Sequence, residues 1–397
     1  MEHSRLYKRD YAGRLRVWWI ETDETGTAYR TYAGLNDGTK VVSAWTTVQG
    51  NSVRPDPVEQ CAFEVKALYE YRVTRTYHST IESASNGAHH FEPMLAQPLE
   101  RHRIDFLAHQ PDGGPARLYI QPKLDGMRCI TTPDGMFSRQ GKEIISAPHI
   151  MAALKPYFDA FPEAILDGEL YSDALAEDFS KIMSLAKKKT PTDADLRLSE
   201  RYLEYHVYDR PDLTESFYQE RLDAIHAMVQ SVSESMPFGA SSPLRRVETI
   251  GITSWAEWDE HHARWRGLKY EGSIGRKVNA IYQNRRTHDL IKRKDFDSCE
   301  FDVSGMGEGE GNWAGACKQV YCWLPVVPKH ERTPERAKDK RYTFIATPTG
   351  THSYLHNVLF GDMPVTATVE YMGWSTTDIP KPRHPIAKQL YWGQRDD

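Results

Sequence analysis

The sequence contains no run of about 18 apolar residues, so no helical membrane span is expected. Its first residues, Met1-Glu2-His3-Ser4-Arg5, are charged where a secretory leader would be apolar. The five cysteines, at 61, 129, 299, 317 and 322, form no C-x-x-C pair and fit no zinc spacing. Their odd number also argues against a disulfide framework. Positive charge is not in excess: 50 Lys and Arg stand against 55 Asp and Glu, a net charge of −5. Any contact with nucleic acid must therefore come from local basic patches. The expectation is a reduced, soluble, cytoplasmic protein (host cytoplasm if its source is viral) with no membrane partner. At 397 residues the chain is long enough for two or three domains and a sizeable core.

What is present centres on Gln121-Pro122-Lys123-Leu124-Asp125-Gly126-Met127-Arg128. The preceding Arg117-Leu118-Tyr119-Ile120 alternates like a buried strand. A period of two puts Gln121 and Lys123 on one face, and Asp125-Gly126 predicts a tight turn beyond them. A lysine held at a strand end beside Arg128 suits a nucleophile. Only the neutral amine has a lone pair, and nearby positive charge lowers the cost of losing the proton. Taken alone, the octet equally fits an exposed hairpin lysine beside a solvated arginine.

Around this stretch the chain divides into four segments. Residues 1–77 read as short strands (Leu15, Val17 and Trp19; Tyr29 and Thr31; Val42, Ala44 and Thr46) separated by turns at Tyr11–Gly13, Asp23–Gly26 and Asn36–Gly38. Asp56-Pro57-Val58-Glu59 then opens a helix with an apolar stripe of Ala62, Val65, Tyr69 and Val73. Residues 78–92, rich in Ser, Ala, Asn and His, read as a linker. The stretch 93–297 is α/β. Met136–Lys142 looks like a hairpin carrying Arg139, and Ala164–Leu170 is a buried strand with Asp167 and Glu169 on one face. A helix from Phe179 ends in Lys187-Lys188-Lys189, and Tyr205–Asp209 is a further strand. Two helices follow, capped at Ser216 and at Ser254, the second with a core stripe of Trp255, Trp258, His262 and Trp265. Lys292 and Lys294 share a strand face. Residues 298–397 read as about five short strands among Gly- and Pro-rich turns, which fits a small barrel such as an OB-fold. Gly309-Glu310-Gly311-Asn312-Trp313-Ala314 matches a dinucleotide fingerprint in form only. Strands flank it, so it is expected to be a hairpin loop.

Six short motifs stand in order: Lys123-x-Asp125-Gly126-x-Arg128, Ser138-Arg139-x-Gly141, Asp167-Gly168-Glu169, Tyr208-Asp209, Glu271-Gly272 and Lys292-x-Lys294. Together they resemble the covalent nucleotidyltransferase superfamily, and within it the ATP-dependent DNA ligases of bacteriophage type, over about residues 93–397. The resemblance implies an α+β multidomain protein. It would have an adenylation (nucleotidyltransferase, ATP-grasp-like) domain at 93–297 and a C-terminal OB-fold β-barrel at 298–397. Residues 1–77 resemble the small sheet-plus-helix WGR-like modules, and are read either as a DNA contact or as a packing appendage. Lys123 matches the lysine that carries AMP. Gln121 matches the residue that reads the adenine amino group, and Tyr208 the aromatic that stacks on adenine. Arg128 and Arg139 match arginines that meet ribose, phosphate or the nick 5′-phosphate. Glu169 and Glu271 match acidic residues for ribose and metal, and Lys292 and Lys294 the pair on the α-phosphate. Arg276 is a lower-grade phosphate ligand. Arg383, Lys388 and Arg395 are the tail cations available for pyrophosphate, where the relatives' final basic motif is only partly represented. The implied activity is sealing of nicked double-stranded DNA with ATP and Mg²⁺ (Mn²⁺ as substitute) by a monomer, in DNA repair, replication or recombination. Arg285–Lys294, with five cations and one Asp, is a local phosphate-binding segment. The alternatives are an RNA ligase, a capping-type nucleotidyltransferase, and a catalytically dead DNA-binding protein. The capping enzyme's Arg-x-Asp-Lys tail signature is absent, and the intact lysines and glutamates oppose the dead-protein reading.

Overall fold

The computed structural model describes the chain except for residues 1, 10–12, 51–53, 74–76, 87–90, 102–103, 105–117, 240, 311–312 and 394–397, and of residues 85–86 only the backbone. Arg117, Gly311-Asn312 of the hairpin loop, Tyr11-Ala12 of the first turn and Arg395 of the tail lie outside the described residues. The chain forms two compact units: Met1–His89 with Phe296–Asp397, and His90–Asp295. Among the described residues no helix is long and apolar enough to cross a membrane.

The first 89 residues hold strands β1 (Leu6–Arg9), β2 (Leu15–Thr22), β3 (Ala28–Leu35), β4 (Lys40–Val42) and β5 (Thr46–Thr47), with helices α1 (Pro57–Val73) and α2 (Ile81–Asn86). The sheet order is β1-β2-β3-β4, and β5 also pairs with β3. Asp56 caps α1 as its sequence predicts, accepting from the Val58 amide at 2.9 Å. The buried stripe of α1 is displaced from the expected one. Cys61 and Val65, with half-buried Leu68 and Tyr69, pack on Leu6, Trp18, Ile20 and Tyr29, while Ala62 and Val73 are exposed. The physical reason is that a free cysteine packs as a small hydrophobe and outcompetes the neighbouring alanine for the core. The linker expected at 78–92 contains α2, whose start is held by the Thr80 hydroxyl accepting from the Ser83 amide at 3.0 Å.

The second unit is built on two five-stranded sheets. Its strands are β6 (Leu95–Pro98), β7 (Leu118–Lys123), β8 (Met127–Thr132), β9 (Gly135–Ser138), β10 (Leu166–Tyr171), β11 (Glu204–Asp209), β12 (Leu244–Arg246), β13 (Ile250–Ile252), β14 (Gly272–Lys277) and β15 (Arg286–Lys294). Its helices are α3 (Pro148–Ala160), α4 (Phe179–Ala186), α5 (Asp193–Tyr202), α6 (Tyr218–Ser235) and α7 (Trp255–Gly267). One sheet runs β13-β7-β14-β15-β6 and the other β12-β11-β10-β8-β9. β7 and β8 are consecutive in sequence but lie in different sheets. The turn at Leu124–Gly126 is therefore the crossing point that lets Lys123 and Arg128 face one cavity from two supports. Gly126 is required there, because a Cβ would lie 2.2 Å from the Leu170 carbonyl oxygen.

Each sheet has its own cover. α7 presents Trp258 and Trp265, both fully buried, against Leu118, Ile120, Ile252 and Ile291. Its cap is Ser254, and Trp255 stacks on Trp258 at 5.5 Å, so the tryptophan stripe is core. Truncating Trp258 to Ala would cost about 3–5 kcal/mol. α3, α4 and α6 cover the other sheet, with Leu154, Ile182 and Ile225 among their buried residues. α4 stops before the three lysines at 187–189. α6 starts one residue later than expected. The Phe217 amide donates to Glu220 Oε2 at 2.8 Å, while the Ser216 carbonyl accepts from Arg221 at 2.7 Å. A side chain three residues ahead closes this turn where a serine hydroxyl was expected.

The remaining strands, β16 (Asp297–Glu308), β17 (Cys317–Trp323), β18 (Thr343–Pro348), β19 (Thr366–Tyr371) and β20 (Ile386–Tyr391), close a barrel in the order β16-β17-β18-β20-β19, with helix α8 (His352–Phe360) between β18 and β19. Phe301, Val320, Phe344, Val369 and Leu390 fill it. β16 and β17 are an antiparallel pair and Gly309, whose amide donates to the Ala316 carbonyl at 2.9 Å, lies at the end of that hairpin.

Candidate active site

In the second unit a cavity of about 280 Å³ opens between the two sheets, and nine expected residues line it. Gln121 and Lys123 come from β7, Arg128 from β8, Arg139 from the turn after β9, Glu169 from β10 and Tyr208 from β11. Arg276 comes from β14, and Lys292 and Lys294 from β15. Glu271, just ahead of β14, closes the group from behind. Its carboxylate pairs with both Lys123 and Lys294, and its amide donates to the Lys123 carbonyl at 2.9 Å. Gly272, the next residue, lets β14 lie close against β15, since a Cβ there would lie 2.1 Å from the Arg293 carbonyl oxygen.

The charges are arranged in two groups. At the first, Glu271 is only 9 % exposed. Burial pushes its carboxyl up, but the two lysines together hold it below the ordinary glutamate value. Lys292 is pushed down by burial and then by the neighbouring Lys294, Arg286 and Lys123. At the second, burial drives Glu169 up to about 8 against the pull of Lys123 and Arg128, with Glu271 and Asp167 pushing the same way as burial. Near neutral pH Glu169 is therefore mostly a protonated acid. Tyr208 Oη lies 3.5 Å from its Oε2.

Several residues are tied down more firmly than their sequence suggested. Arg128 forms a two-bond pair with Asp167, at 2.9 and 2.5 Å, and Tyr282 donates to the same carboxylate at 2.6 Å. Its guanidinium also lies 5.7 Å from the Tyr208 ring centroid. Gln121, 2 % exposed, donates to Tyr218 Oη at 2.8 Å and to Thr249 Oγ1 at 2.9 Å, and its Oε1 accepts from Arg276 Nε at 2.8 Å. Arg276 lines the cavity and is itself held: it is 5 % exposed, paired with Asp209 at 2.5 Å, set 5.3 Å from the Tyr208 ring and bonded to Gln121, so it braces the tyrosine and the glutamine. A second buried arginine, Arg221, holds the other oxygen of Asp209 at 2.6 Å. Arg139 is exposed at the cavity rim, on a turn whose Ser138 hydroxyl accepts from the Lys142 amide at 3.1 Å. Arg383 and Lys388 belong to the other unit, where Lys388 pairs with Glu370 at 2.9 Å.

The sequence reading missed Asp167 and Tyr282 as the clamp on Arg128, Asp209 and Arg221 as the clamp on Arg276, and Arg286 at the cavity wall. Arg286 had a usable signal, the same parity on β15 as Lys292 and Lys294. The clamps had none, because they join strands far apart in sequence.

A lysine among further cations, with an aromatic face and two carboxyls, is a side-chain set suited to phosphoryl chemistry. The family of the ATP dependent DNA ligase domain matches residues 93–294, half of the chain. A DNA ligase of Haemophilus influenzae is 22 % identical over 203 residues, 51 % of this chain and 67 % of that protein. Among solved structures, a Lig E DNA ligase is similar with a TM-score of 0.56 at 18 % identity, over 75 % of this chain and 98 % of that one. A structure named Pmar-Lig PreS3 gives 0.58 at 17 %, over 84 % and 71 %. At these identities the structural likeness is one of fold. The chain belongs to the ATP-dependent DNA ligase family and is an ATP-dependent DNA ligase, with an adenylation domain and a small barrel-like domain.

Proposed function

We propose that this ligase seals nicks bearing a 5′-phosphate and a 3′-hydroxyl in duplex DNA through an AMP carried on Lys123. The observation that supports it most is the position of Lys123, inside one cavity with Lys292 and Lys294 and with Tyr208 and Gln121. Lys123 Nζ, as the neutral amine, attacks the α-phosphorus of ATP, and the bond to pyrophosphate breaks. The AMP then passes to the 5′-phosphate of the nick, and the 3′-hydroxyl displaces it. Lys292 and Lys294 hold the α-phosphate oxygens as charge builds on them. Tyr208 stacks on adenine. Gln121 Oε1, with one lone pair beyond its bond from Arg276, accepts from the adenine amino group. Arg128, Arg139 and Glu169 meet the ribose and phosphates, and Arg383, Lys388 and Arg395 are the tail cations for pyrophosphate. The carboxyls of Glu169 and Glu271 are hard oxygen donors that fit Mg²⁺ or its substitute Mn²⁺. Bound there, the ion supplies neutralisation of the phosphate oxygens.

We read residues 298–397 as an OB-fold on the strand order and the helix between the third and fourth strands, residues 93–297 as the adenylation domain, 1–77 as a WGR-like module and 78–92 as the linker. Incubation with α-labelled ATP, GTP or NAD, followed by nicked DNA or nicked RNA duplex, tests the function. Label from ATP alone, discharged into sealed DNA, is expected. Label from GTP, or sealing of RNA in preference to DNA, would contradict it.

A further inference from the structure

A second cluster of ligand-type side chains lies in the same unit, on the β10–β11 pair, and none of its members lines the adenylation cavity. The register sets Glu169 opposite His206 and Tyr171 opposite Glu204. Glu204 and His206, two apart on β11, therefore share a face, and Asp173 follows just past the end of β10. One ligand atom from each of Asp173, Glu204 and His206 lies within 4.8 Å of the others. His206 is 6 % exposed and its Nε2 is 3.3 Å from Glu204 Oε2.

Each carboxylate is oriented from outside the cluster. Arg245 holds Glu204 Oε1 at 2.6 Å, and Tyr270 Oη donates to Asp173 Oδ1 at 3.1 Å. That turns the second oxygens inward: Glu204 Oε2 faces His206 Nε2, and Asp173 Oδ2 is not the oxygen that Tyr270 holds. An independent sign points to the same place. Tyr171 is 1 % exposed, yet its hydroxyl has no hydrogen-bond partner among the described residues. Its ring meets His206 edge-on at 5.3 Å, and Asp173 is the charged group that acts on its hydroxyl most strongly. A buried hydroxyl left without a partner is costly unless something occupies the space beside it. A water bound to a cation held by Asp173, Glu204 and His206 would be such a partner.

We propose that Asp173, Glu204 and His206 bind a divalent transition-metal ion at a site separate from the adenylation cavity. One imidazole nitrogen with two carboxylate oxygens favours ions of the Mn²⁺–Zn²⁺ series over Mg²⁺, which prefers oxygen alone. Three protein ligands leave a position for water, the kind of partner that the buried Tyr171 hydroxyl lacks among the described residues. The ion ties the turn after β10 to the start of β11 and, through the Asp173 bond, to Tyr270, the residue next to Glu271.

The test uses the full chain stripped with a chelator and held in excess Mg²⁺, with Zn²⁺ binding followed by calorimetry and Co²⁺ binding by visible absorption. One Zn²⁺ per chain and a Co²⁺ spectrum are expected, with affinity falling at least tenfold in Asp173→Asn and His206→Gln and unchanged in Glu169→Gln. Asp173 is exposed, so its variant tests the site without threatening the fold. Absence of binding in the wild type, full binding in Asp173→Asn, or loss of binding only in Glu169→Gln would overturn the proposal.

Discussion

Replacing Glu169 by Gln should make the protein more stable at pH 8 while impairing ATP use. Burial holds the Glu169 carboxyl at about 8 in the folded protein, against an ordinary value of 4.5. The folded protein thus grips this proton more tightly than the unfolded chain does. Its contribution to stability is fully present below about pH 4.5 and is lost as pH rises to about 8. Each unit corresponds to about 1.4 kcal/mol, so a window of roughly 3.5 units sets a ceiling of about 5 kcal/mol. Glu169 keeps part of its surface open to the cavity, and a difference of about 2–3 kcal/mol is the realistic size. Glutamine imitates the protonated acid and has no proton to lose. Groups remote from the cavity titrate alike in the two proteins, so the difference between them reports Glu169 together with the charges it acts on, Lys123, Arg128, Glu271 and Asp167. Urea denaturation in chelator at pH 5, 6, 7 and 8 should show near-equal stabilities at pH 5 and a growing advantage for E169Q toward pH 8. Added Mg²⁺, which favours the ionised carboxyl, should stabilise the wild type more than the variant. A difference that stays constant with pH, or a weaker E169Q at pH 8, would refute the reasoning.

Two further outcomes follow from the same cavity. Asp209→Asn strips the shared carboxylate from Arg221 and Arg276, both nearly fully buried, and should cost about 3–5 kcal/mol in urea denaturation; a loss under about 1 kcal/mol would show that water or another acid takes over. Tyr208→Ala should raise the KM for ATP by about tenfold or more through lost stacking, roughly 1–3 kcal/mol. Tyr208→Phe should stay near wild type, because among the described residues its hydroxyl's hydrogen-bond contact is the 3.5 Å one with Glu169.

How much was legible depended on how local each signal was. The Lys123 support could be read because a period-two strand, an Asp-Gly turn and an arginine follow one another between residues 117 and 128. Lys292 and Lys294 were readable by parity, and the α7 core by its tryptophan spacing and its Ser254 cap. What could not be read was the partner of each cation. Glu271 reaches Lys123 across 148 positions, Asp167 reaches Arg128 across 39, and Asp209 reaches Arg276 across 67. Such pairs exist only once the sheets are assembled, so the Asp209 partner that holds Arg276 has no local signal in the sequence. β1, β20 and α8 were also missed. β20 follows a proline-rich stretch and has two exposed polar residues mid-strand, and α8 carries only two fully buried side chains.

The central claim is that Lys123 carries the adenylate. Intact-mass and peptide-mapping spectrometry after incubation with ATP and Mg²⁺ tests it most directly. The account predicts a single AMP on the peptide containing Lys123, and none in a Lys123→Ala protein that still unfolds like the wild type. An adduct on any other residue, or a full adduct in Lys123→Ala, would contradict it.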